Sequence, residues 1–369
     1  MRVLMLTSND YTGRYWQDMA IGFSKRPDAE LGFASFGMEN PPFWHESFLH
    51  SHIVFGLKRK TNMLQWVRFV LQIRNFKPDV IQSHLFYGGL FGIVIGKLLC
   101  VPVVFTRHHL DEHFQNGTRI HRLLDKLTLQ LSHRVITCSQ ATKDWIVENE
   151  AVSSEKVKVV YQGFDYSRIR ADELRVIQIK NDLFKSSEKF KILCVSRFSK
   201  VKGQTYLLDA LSMNSALMDK CEVNFIGIGD SKWLETEINL RNLSGNCKVL
   251  GASNEVLEYM KAHDLIVHPS LADSFSQTVI EAMALGKCVV AANTAAVPEQ
   301  IENFKTGFIV PQRDSFSLAN VIQFLEADRE LIERIGKEAS RAVQANFSLE
   351  FMITKQFLEL KFVAQSYRL

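Results

Sequence analysis

The chain has 369 residues, of which 46% are hydrophobic and 23% are charged. This length exceeds the roughly 250–300 residues over which a single core keeps growing, so two domains are expected. The composition is that of a globular protein and excludes a disordered or collagen-like chain. A net charge of +4 is too small to argue for nucleic acid as a partner.

The first strand-like run begins at Val3, which leaves no room before it for a signal segment, so we expect a cytoplasmic protein. The longest apolar stretch, residues 90–105, is interrupted by Lys97 and Pro102 and falls short of the ~20 residues that a spanning helix needs. The cysteines occur singly, without the spacing of a zinc site, so we expect buried thiols and no metal centre. They are Cys100, Cys138, Cys194, Cys221, Cys247 and Cys288.

Short β-rich runs alternate with helical patterns along the whole chain. This alternation predicts βαβ units and parallel sheets, whose ligands bind at the carboxyl ends of the strands. A polar stretch between residues 164 and 189 separates two such blocks, and residues 349–363 have the pattern of a final amphipathic helix. The predicted strands are 3–6, 80–81, 103–106, 135–137, 157–161, 192–195, 223–226, 265–268, 288–291 and 307–310.

Two cations follow the first strand of the second block. Arg197 comes directly after Ser196 at the strand end, and Lys202-Gly203 opens the next helix. Such a pair suits a diphosphate, because Arg makes forked hydrogen bonds to phosphate oxygens and Lys adds a compact charge. The alternative is a solvated start of a helix.

The turn Gly227-Ile228-Gly229 after the next strand allows a close backbone approach. It lacks the third glycine and the acidic ribose ligand of a dinucleotide fingerprint, which disfavours a nicotinamide dehydrogenase. An ordinary strand-to-helix turn remains the alternative.

The most specific motif, residues 268–282, follows a strand and opens a helix. Asp273 lies in the loop and Glu281 about two turns inside the helix, on either side of a helix start that can bind phosphate. Asp273 can reach sugar hydroxyls, and Glu281 can accept hydrogen bonds from a ribose. The alternatives are that Asp273 caps the helix and that Glu281 forms an ordinary buried pair.

In order and spacing these motifs resemble the retaining glycosyltransferases of family 4. The resemblance rests on residues 197–203, 227–229 and 273–286, and it extends to 77–84, 101–108, 161–165 and 306–310. The chain departs from the family at Asp273, where Glu is usual, and at Ala295-Ala296, where the family has two glycines.

The resemblance implies an α/β protein of the GT-B fold, with two Rossmann-like domains whose parallel sheets face each other across a cleft. It implies an acceptor-binding domain over residues 1–166 and a nucleotide-sugar-binding domain over 167–349. A C-terminal helix, 350–369, would pack back on the N-terminal domain.

By the same resemblance, Arg197 and Lys202 would hold the donor diphosphate, Glu281 the ribose and Asp273 the transferred sugar. His108, at a strand end, would contact the donor sugar, although a lone histidine is more often structural. His109 is an adjacent competitor, while His84 and His113 rank lower. The remaining predicted donor-site residues are Gly13, Gly227, Leu250, Gly251, Ser274, Phe275, Ser276, Gln277 and Thr278.

Residues 47–78 contain six basic side chains, no acidic one and interleaved aromatics, which predicts a basic amphipathic helix. Such a helix, over residues 57–77, can lie on an anionic membrane surface. A core-packed helix with a solvated basic edge explains the pattern equally well. With membrane contact, the protein would be peripheral on the inner face of the cell membrane.

The predicted function is the transfer of a sugar from a nucleotide-diphospho-sugar to an acceptor hydroxyl, with retention and without a metal or cofactor. We expect a UDP-sugar rather than a GDP- or ADP-sugar, and a glycan or lipid-linked acceptor of bacterial surface polysaccharide, lipopolysaccharide or glycolipid synthesis. Two alternatives remain open at this point. One is a non-catalytic nucleotide-sugar-binding scaffold at the membrane, and the other is a nucleotide-sugar epimerase of the same fold.

Overall fold

The structure, a computed structural model, describes residues 1–8, 14–36, 53–57, 63–108, 118–184 and 188–367. The chain forms two compact units. Unit 1 consists of Met1–Phe164 and Phe347–Leu369, and unit 2 of Asp165–Asn346. Unit 1 therefore contains both ends of the chain, and the division falls at Phe164, two residues before the predicted boundary.

Unit 1 is built on a seven-stranded sheet with the order β3-β2-β1-β4-β5-β6-β7, in which every neighbouring pair is parallel. Strand β1 is buried over its last five residues, as expected where helices cover both faces of a parallel sheet. The strands are β1 (Arg2–Thr7), β2 (Glu30–Phe36), β3 (Ile53–Leu57), β4 (Val80–His84), β5 (Val103–Arg107), β6 (Arg134–Thr137) and β7 (Val157–Val159).

The helices of unit 1 lie on both faces of this sheet, and strand residues alternate between the two cores. Leu4 and Leu6 pack with α2 and α3, whereas Val3 and Met5 pack with α1 and α15. This period of two is the side-chain alternation of a β-strand. The helices are α1 (Arg14–Ser24), α2 (Met63–Phe76), α3 (Phe86–Leu99), α4 (Arg119–Leu131), α5 (Gln140–Asn149) and α15 (Leu349–Ser366).

The last helix, α15, begins at Leu349 as predicted and belongs to unit 1. Its cap Ser348 accepts a hydrogen bond from the Phe351 N–H. Buried Phe357 meets Phe23 of α1 edge to face, and a β-carbon at Gly22 would lie 2.3 Å from Ile353. Helices α1 and α15 therefore pack closely because a glycine stands where they meet.

Unit 2 is built on a six-stranded parallel sheet with the order β10-β9-β8-β11-β12-β13. A large cluster of buried side chains from the strands and the covering helices forms one part of its core, with Phe190 and Phe225 among the largest. The strands are β8 (Phe190–Val195), β9 (Cys221–Ile226), β10 (Cys247–Gly251), β11 (Leu265–His268), β12 (Cys288–Ala292) and β13 (Phe308–Val310).

The helices of unit 2 connect these strands, and two short 3-10 helices occur at Tyr166–Arg168 and Lys200–Lys202. Across the described part of the chain, no helix has the length and apolar character needed to cross a membrane. The helices are α6 (Glu173–Phe184), α7 (Gln204–Ser212), α8 (Ser215–Lys220), α9 (Lys232–Leu240), α10 (Val256–Ala262), α11 (Gln277–Ala284), α12 (Val297–Gln300), α13 (Ser315–Glu326) and α14 (Arg329–Asn346).

Three sequence predictions differ from the structure. All ten predicted strands overlap observed ones, but β2, β3 and β10 were not predicted. The basic segment is not one helix, because residues 53–57 form β3 and the helix begins at Met63; residues 58–62 lie outside the described residues. Five cysteines are buried, but Cys100 at the end of α3 is exposed.

Candidate functional site

The sheet of unit 2 reverses its strand order between β8 and β11, since β9 and β10 extend one way and β12 and β13 the other. In open α/β sheets, ligands bind outside the carboxyl ends of the strands at such a reversal. Ser196 and Arg197 follow β8, and His268 ends β11. The predicted cations and the motif of residues 268–282 therefore meet at this point of the sheet.

Lys202 and Asp273 form an ion pair across the reversal. The Lys202 ammonium lies 2.7 Å from one carboxylate oxygen of Asp273, and both side chains are less than one-fifth exposed. The other carboxylate oxygen lies 2.8 Å from Nε2 of His268, which is also 3.2 Å from the Ser276 hydroxyl. Asp273 is thus fixed by one residue from each side of the reversal.

Burial alone would raise the pKa of the Asp273 carboxyl. The hydrogen bond and charge of His268, followed by the Lys202 ammonium, outweigh that effect and hold the pKa far below its ordinary value. Asp273 is therefore a carboxylate at neutral pH. In this form it can accept hydrogen bonds or neutralise a cation.

The helix that follows, α11, starts at Gln277, and Ser276 is its N-cap through a hydrogen bond from the Val279 N–H. The side-chain amide of Gln300 holds Ser276 from both sides, accepting from its N–H at 3.3 Å and donating to its C=O at 2.9 Å. The alternative that Asp273 caps this helix is therefore wrong. Half-buried Glu281 lies about one turn inside α11, not two.

Backbone hydrogen bonds join the segments after β8, β9 and β10. The N–H of Ser196 donates to Ile226, that of Phe198 to Ile228, and that of Gly227 to Gly251 at 2.9 Å. A β-carbon at Gly227 would lie 1.8 Å from the Ser196 carbonyl oxygen. Gly227 is therefore required by packing. Leu250 and Gly251, predicted beside the base, end β10 next to this turn.

Exposed Arg197 is held through its backbone rather than its side chain. The buried side-chain amide of Gln204, on α7, donates to the Arg197 carbonyl at 2.8 Å and to the Ser196 hydroxyl at 2.8 Å. The backbone of Arg197 is thereby fixed at the end of β8, while the residue as a whole is exposed.

Buried polar atoms without a protein partner cluster in the same place. In the described part of unit 2 they are Ser199 Oγ, Gln204 Oε1, His268 Nδ1 and Thr294 Oγ1, which all lie at or just beyond the carboxyl ends of β8, β11 and β12. Such atoms are uncommon because burying an unbonded polar group costs free energy. Their grouping makes this edge the candidate ligand site of unit 2.

Unit 1 reverses its strand order between β1 and β4. Gly13, predicted near the donor phosphates, lies outside the described residues, as do His109 and His113. His108 follows β5 and is half-buried, with its Nε2 3.0 Å from Nδ1 of His84 at the end of β4. His84, given a lower rank from the sequence, is thus the direct partner of the predicted catalytic histidine.

Aromatic side chains of α1 surround the two imidazoles. Trp16 meets His84 edge to face at 4.7 Å, and Tyr15 meets His108 at 5.0 Å. The Gln356 amide of α15 donates to the Tyr15 hydroxyl at 3.2 Å, and burial raises the pKa of that hydroxyl far above its ordinary value. A cavity of about 10 Å³, lined in part by Tyr15, His108 and Gln356, has room for about one water molecule.

Several of these residues could not be identified from the sequence. His268 ends a buried strand, which is a detectable signal, whereas Gln204 and Gln300 reach the site from helices with no distinguishing pattern. Tyr15, Trp16 and Gln356 depend on the packing of α1 against α15. Among the described residues, no cluster of three or more His, Cys, Asp or Glu side chains could hold a metal ion.

The remaining predicted residues lie where α11 begins. Phe275 is buried, and Ser274, Gln277 and Thr278 are half-buried. All belong to the segment between Asp273 and the first turn of the helix, beside the ion pair with Lys202. The structure thus groups the predicted residues of unit 2 at one edge of its sheet. In unit 1 the described residues include His108, which contacts His84.

Two family models match the chain. Residues 14–168 match Glycosyltransferase Family 4, and residues 176–342 match Glycosyl transferases group 1. Together the two models cover both units.

Curated relatives agree with this family. An N,N'-diacetylbacillosaminyl-diphospho-undecaprenol alpha-1,3-N-acetylgalactosaminyltransferase of Campylobacter jejuni is 25% identical over 301 residues, which is 78% of this chain and 78% of the relative. An uncharacterized 41.2 kDa protein in the cps region of Klebsiella pneumoniae is 31% identical over 279 residues, covering 73% of this chain and 75% of the relative.

Among solved structures, Anabaena HepE in complex with UDP superposes with a TM-score of 0.83, at 22% identity over 98% of this chain and 100% of that one. This likeness confirms the predicted α/β fold of the GT-B type. The chain belongs to the glycosyltransferases of family 4 and group 1, and it is a glycosyltransferase that uses a nucleotide-sugar donor.

Proposed function

We propose that this enzyme transfers a sugar, with retention of anomeric configuration, from a UDP-sugar to a hydroxyl of a glycan or lipid-linked acceptor at a membrane surface. Unit 2 holds the donor, and unit 1 holds the acceptor and contributes His108. The observation that carries the proposal is the Lys202–Asp273 ion pair at the strand-order reversal of unit 2, surrounded by buried polar atoms that lack a protein partner.

The charges at this edge suit a sugar diphosphate. Arg197 is exposed and offers a guanidinium for forked hydrogen bonds, and Lys202 supplies a second cation. The dipole of α11 adds partial positive charge at the start of this helix, close by. Asp273 offsets one of the two cations and can also accept hydrogen bonds from sugar hydroxyls, while Glu281 accepts hydrogen bonds from the ribose.

The nucleotide and the acceptor class are inferred from the similar proteins. HepE has been solved with UDP and with UDP-glucose, which supports uridine as the base. The Campylobacter relative is named for an undecaprenol diphosphate acceptor, and a 22% identical Staphylococcus aureus relative for capsular polysaccharide biosynthesis. Both names support a lipid-linked or glycan acceptor.

In the proposed reaction, the bond between the anomeric carbon and the β-phosphate oxygen breaks, and a bond to the acceptor oxygen forms on the same face. The acceptor proton passes to the departing phosphate oxygen. Arg197, Lys202 and the helix start stabilise the charge that develops on the UDP leaving group. Retention and independence from metals are features of the family resemblance and stay predictions.

The donor assignment is tested by isothermal titration of UDP, GDP, ADP and dTDP into the wild-type protein and three variants. Arg197→Ala and Lys202→Ala should each weaken UDP binding by about 10- to 100-fold, because each removes charge-assisted hydrogen bonds. The control is Lys337→Ala, which removes an exposed lysine from α14 of the same unit.

Preference for UDP, lost in the two site variants and kept in the control, supports the proposed donor. Binding of none of the four nucleotides, or equal loss in all three variants, contradicts it. Turnover is then measured with UDP-sugars and an undecaprenyl-diphosphate glycan. Donor binding without any transfer would favour the scaffold alternative, and conversion of the free sugar nucleotide would favour an epimerase.

The membrane part of the proposal rests on three neighbouring helices that cover one face of the unit 1 sheet. Helices α2 and α3 meet through Trp66 and Phe91, at 4.8 Å between ring centroids, and α3 meets α4 through Phe86 and His121 at 5.3 Å. The outer side carries exposed apolar residues. They are Met63, Leu64, Val67, Leu71, Tyr87, Val94, Leu98, Ile120, Leu123, Leu127 and Leu131.

The same three helices carry six cations and a single acid. That acid, Asp125, is buried and paired with Arg107, so it does not offset the surface charge. An apolar surface with cations among its side chains suits an anionic bilayer, since each Lys or Arg near such a surface contributes about 1 kcal/mol. The cations are Arg68, Arg74, Lys97, Arg119, Arg122 and Lys126.

Sedimentation with vesicles tests this surface. Wild type should bind vesicles of phosphatidylglycerol and phosphatidylcholine more tightly than phosphatidylcholine alone. The triple variant R68A/R74A/K97A should lose about 100-fold in affinity for the anionic vesicles, as three such contributions predict. The matched control R334A/K337A/R341A removes three cations from α14 and should bind like wild type. Equal losses in both triple variants would contradict a specific surface.

A further inference from the structure

The two histidines of unit 1 share a hydrogen bond that constrains their protons. Nδ1 of His84 lies 3.0 Å from Nε2 of His108, and the rings are nearly parallel, with 23° between their planes. A hydrogen bond between two imidazole nitrogens needs one N–H and one lone pair. The pair therefore holds one proton between these two atoms.

The surroundings of His84 indicate which ring supplies that proton. His84 is fully buried, and its Nε2 has no hydrogen-bond partner. A buried N–H without an acceptor is rarer in proteins than a buried lone pair without a donor. The proton of neutral His84 is therefore on Nδ1, from where it points at Nε2 of His108.

This arrangement also determines the protonation of the second ring. When Nε2 of His108 accepts the hydrogen bond from His84, the proton of neutral His108 must be on Nδ1. A positive charge on both rings is excluded, since two N–H groups would then face each other. Burial, and next the neighbouring His108, also lower the pKa of His84 well below its ordinary value.

The position of His84 is enforced by its neighbours on three sides. The Trp16 ring meets it edge to face at 4.7 Å. Gln82, two residues earlier on the same face of β4, donates to the Thr106 hydroxyl at 2.8 Å and so locks β4 to β5 beside the pair. Leu85, the next residue, adopts φ 62° and ψ 168°, a region that residues other than glycine rarely occupy.

We propose that His84 is a positioning residue that holds His108 as a neutral imidazole with its proton on Nδ1. This inference rests on the proposed role of His108 at the donor sugar and adds a restriction to it. With its Nε2 engaged by His84, His108 meets a sugar hydroxyl as a hydrogen-bond donor through Nδ1–H and does not act as a base through Nε2.

Among the described residues, two other titratable groups, Tyr15 and Cys138, line the small cavity beside the pair. Tyr15 of α1 faces His108 and is uncharged at neutral pH, since burial raises the pKa of its hydroxyl. Cys138, which follows β6, lines the same small cavity. In the described part of the chain no carboxylate or cationic side chain lines this cavity.

The first test reads the tautomer directly. Long-range ¹H–¹⁵N spectra of protein labelled at histidine nitrogens separate N–H from lone-pair nitrogens, and spectra of His84→Asn and His108→Gln assign the two rings. We expect Nδ1–H on both rings at pH 7. An Nε2–H form of His108 in the wild-type protein would overturn the proposal, whether or not the enzyme shows transfer.

The second test uses two substitutions of His84. In His84→Asn, the amide nitrogen occupies about the position of Nδ1 and can still donate, so His108 should keep its tautomer and the pH profile of kcat/KM should keep its shape. In His84→Asp, a carboxylate can only accept and favours a charged His108. The acid limb of the profile should then move upward by at least about one pH unit.

The outcomes separate positioning from a merely structural role. A displaced acid limb in His84→Asp together with an unmoved limb in His84→Asn supports the proposal. Equal loss of activity in both variants, with no displacement in either, overturns it. If His84→Asp does not fold, the tautomer of His108 in the wild type and in His84→Asn decides, and an Nε2–H form in either protein overturns the proposal. If the wild-type protein transfers no sugar, the proposed function is contradicted, but the tautomer result is unaffected.

Discussion

Lys202 and Asp273 are 71 residues apart in the chain, yet the Lys202 Nζ lies 2.7 Å from an Asp273 carboxylate oxygen. The pair joins the segment after β8 to the segment after β11, where the sheet of unit 2 reverses its strand order. The second carboxylate oxygen is held by His268 at 2.8 Å. Asp273 therefore has both a charge to offset Lys202 and a fixed direction, and these two properties can be separated by substitution.

Asp273→Asn keeps the size of the side chain and removes its charge. Because the Lys202 ammonium is then no longer offset, affinity for UDP should stay unchanged or rise a few-fold, as a less neutralised cation binds phosphate better. The kcat for transfer should fall by about 100-fold, the loss typical of removing one stabilising group from an active site. Titration with UDP and steady-state kinetics measure the two effects separately.

Asp273→Glu is the matched control, because it keeps the charge and restores the residue that is usual in the family. It should retain UDP affinity and lose less activity than Asp273→Asn. If Asp273 only holds the loop in place, UDP affinity and kcat will fall together in the Asn variant. That result would remove the proposed contact with the transferred sugar.

Gly203 allows the two loops of this site to approach each other. Its φ is +67°, and a β-carbon there would lie 2.0 Å from the Pro269 carbonyl oxygen. Gly203→Ala should therefore lower the free energy of unfolding of unit 2 by at least about 2 kcal/mol, since backbone strain of about 1–2 kcal/mol adds to the steric overlap. UDP affinity should fall with it, because Lys202 is the preceding residue.

Gly245→Ala provides the control, as a β-carbon at Gly245 meets no atom within 4 Å. It should change the free energy of unfolding by no more than about 0.5 kcal/mol. Hydrogen exchange of β8 and β11 measures both variants within unit 2. A Gly203→Ala protein as stable as Gly245→Ala would show that the two loops can separate without cost.

The parts of the fold that follow from the sequence are those with strong local patterns. The strand 192–195, followed by Arg197 and Lys202, is indicated by an unbroken apolar run, and the last helix is indicated by its amphipathic pattern from Leu349. Strand β2 was not predicted because Gly32 and Ala34 weaken its pattern, although Gly32 is required where Phe76 packs against the strand. Strand β3 lies within the segment whose pattern predicts a single basic helix.

The sequence predicts the site residues that belong to one motif. It does not predict the residues that reach the site from distant parts of the chain. Asp273 and Lys202 could be named from their spacing, but the sequence could not decide between a helix cap and an ion pair, which depends on how β8 and β11 adjoin. His84 ends β4 and His108 directly follows β5, so their contact depends on the pairing register of these two parallel strands, which no short motif encodes. Gln356 reaches Tyr15 across 341 residues.

His263 of unit 2 predicts a pH dependence of stability. It is 1% exposed, its Nδ1 lies 2.6 Å from the Tyr259 carbonyl, and its Nε2 lies 2.9 Å from the Asn224 amide nitrogen. The carbonyl can only accept, so Nδ1 carries the proton and Nε2 accepts from Asn224. Burial lowers the pKa of His263 to about 4. A second proton, on Nε2, would also face the Asn224 N–H.

The folded protein therefore resists protonation of His263 more than the unfolded chain does, whose histidine pKa is about 6.5. The contribution of neutral His263 to the free energy of unfolding is fully present above about pH 6.5. It is lost as the pH falls toward about 4, by up to about 3 kcal/mol. Urea unfolding followed by the fluorescence of Trp233, the one tryptophan in residues 165–346, measures this change. The His263→Leu variant should have a lower free energy of unfolding at pH 7. That free energy should change less between pH 6.5 and 4 than it does in the wild type.

His121→Leu is the control for this measurement, because it removes a histidine from unit 1. The pH dependence of the unfolding free energy of unit 2 should then be the same as in the wild type. An unchanged slope in His263→Leu would assign the acid sensitivity of unit 2 to other groups.

Phe357 tests the attachment of the last helix to unit 1. Its side chain is 2% exposed, meets Phe23 of α1 and has the Arg26 guanidinium 4.0 Å from its ring centroid. Phe357→Ala should lower the free energy of unfolding of unit 1 by about 3–5 kcal/mol, because it removes buried apolar surface and leaves a cavity. Phe351, on the same helix, is 50% exposed, so Phe351→Ala should cost less than about 1 kcal/mol.

The same helix carries Gln356, which donates to the Tyr15 hydroxyl beside His108. Loosening α15 should therefore disturb the histidine pair as well as the stability of unit 1. Hydrogen exchange of α1 and the ¹⁵N spectrum of His108 measure the two effects in the same variant. A Phe357→Ala protein with faster exchange in α1 but an unchanged His108 spectrum would show that β4 and β5 hold the pair without help from the last helix.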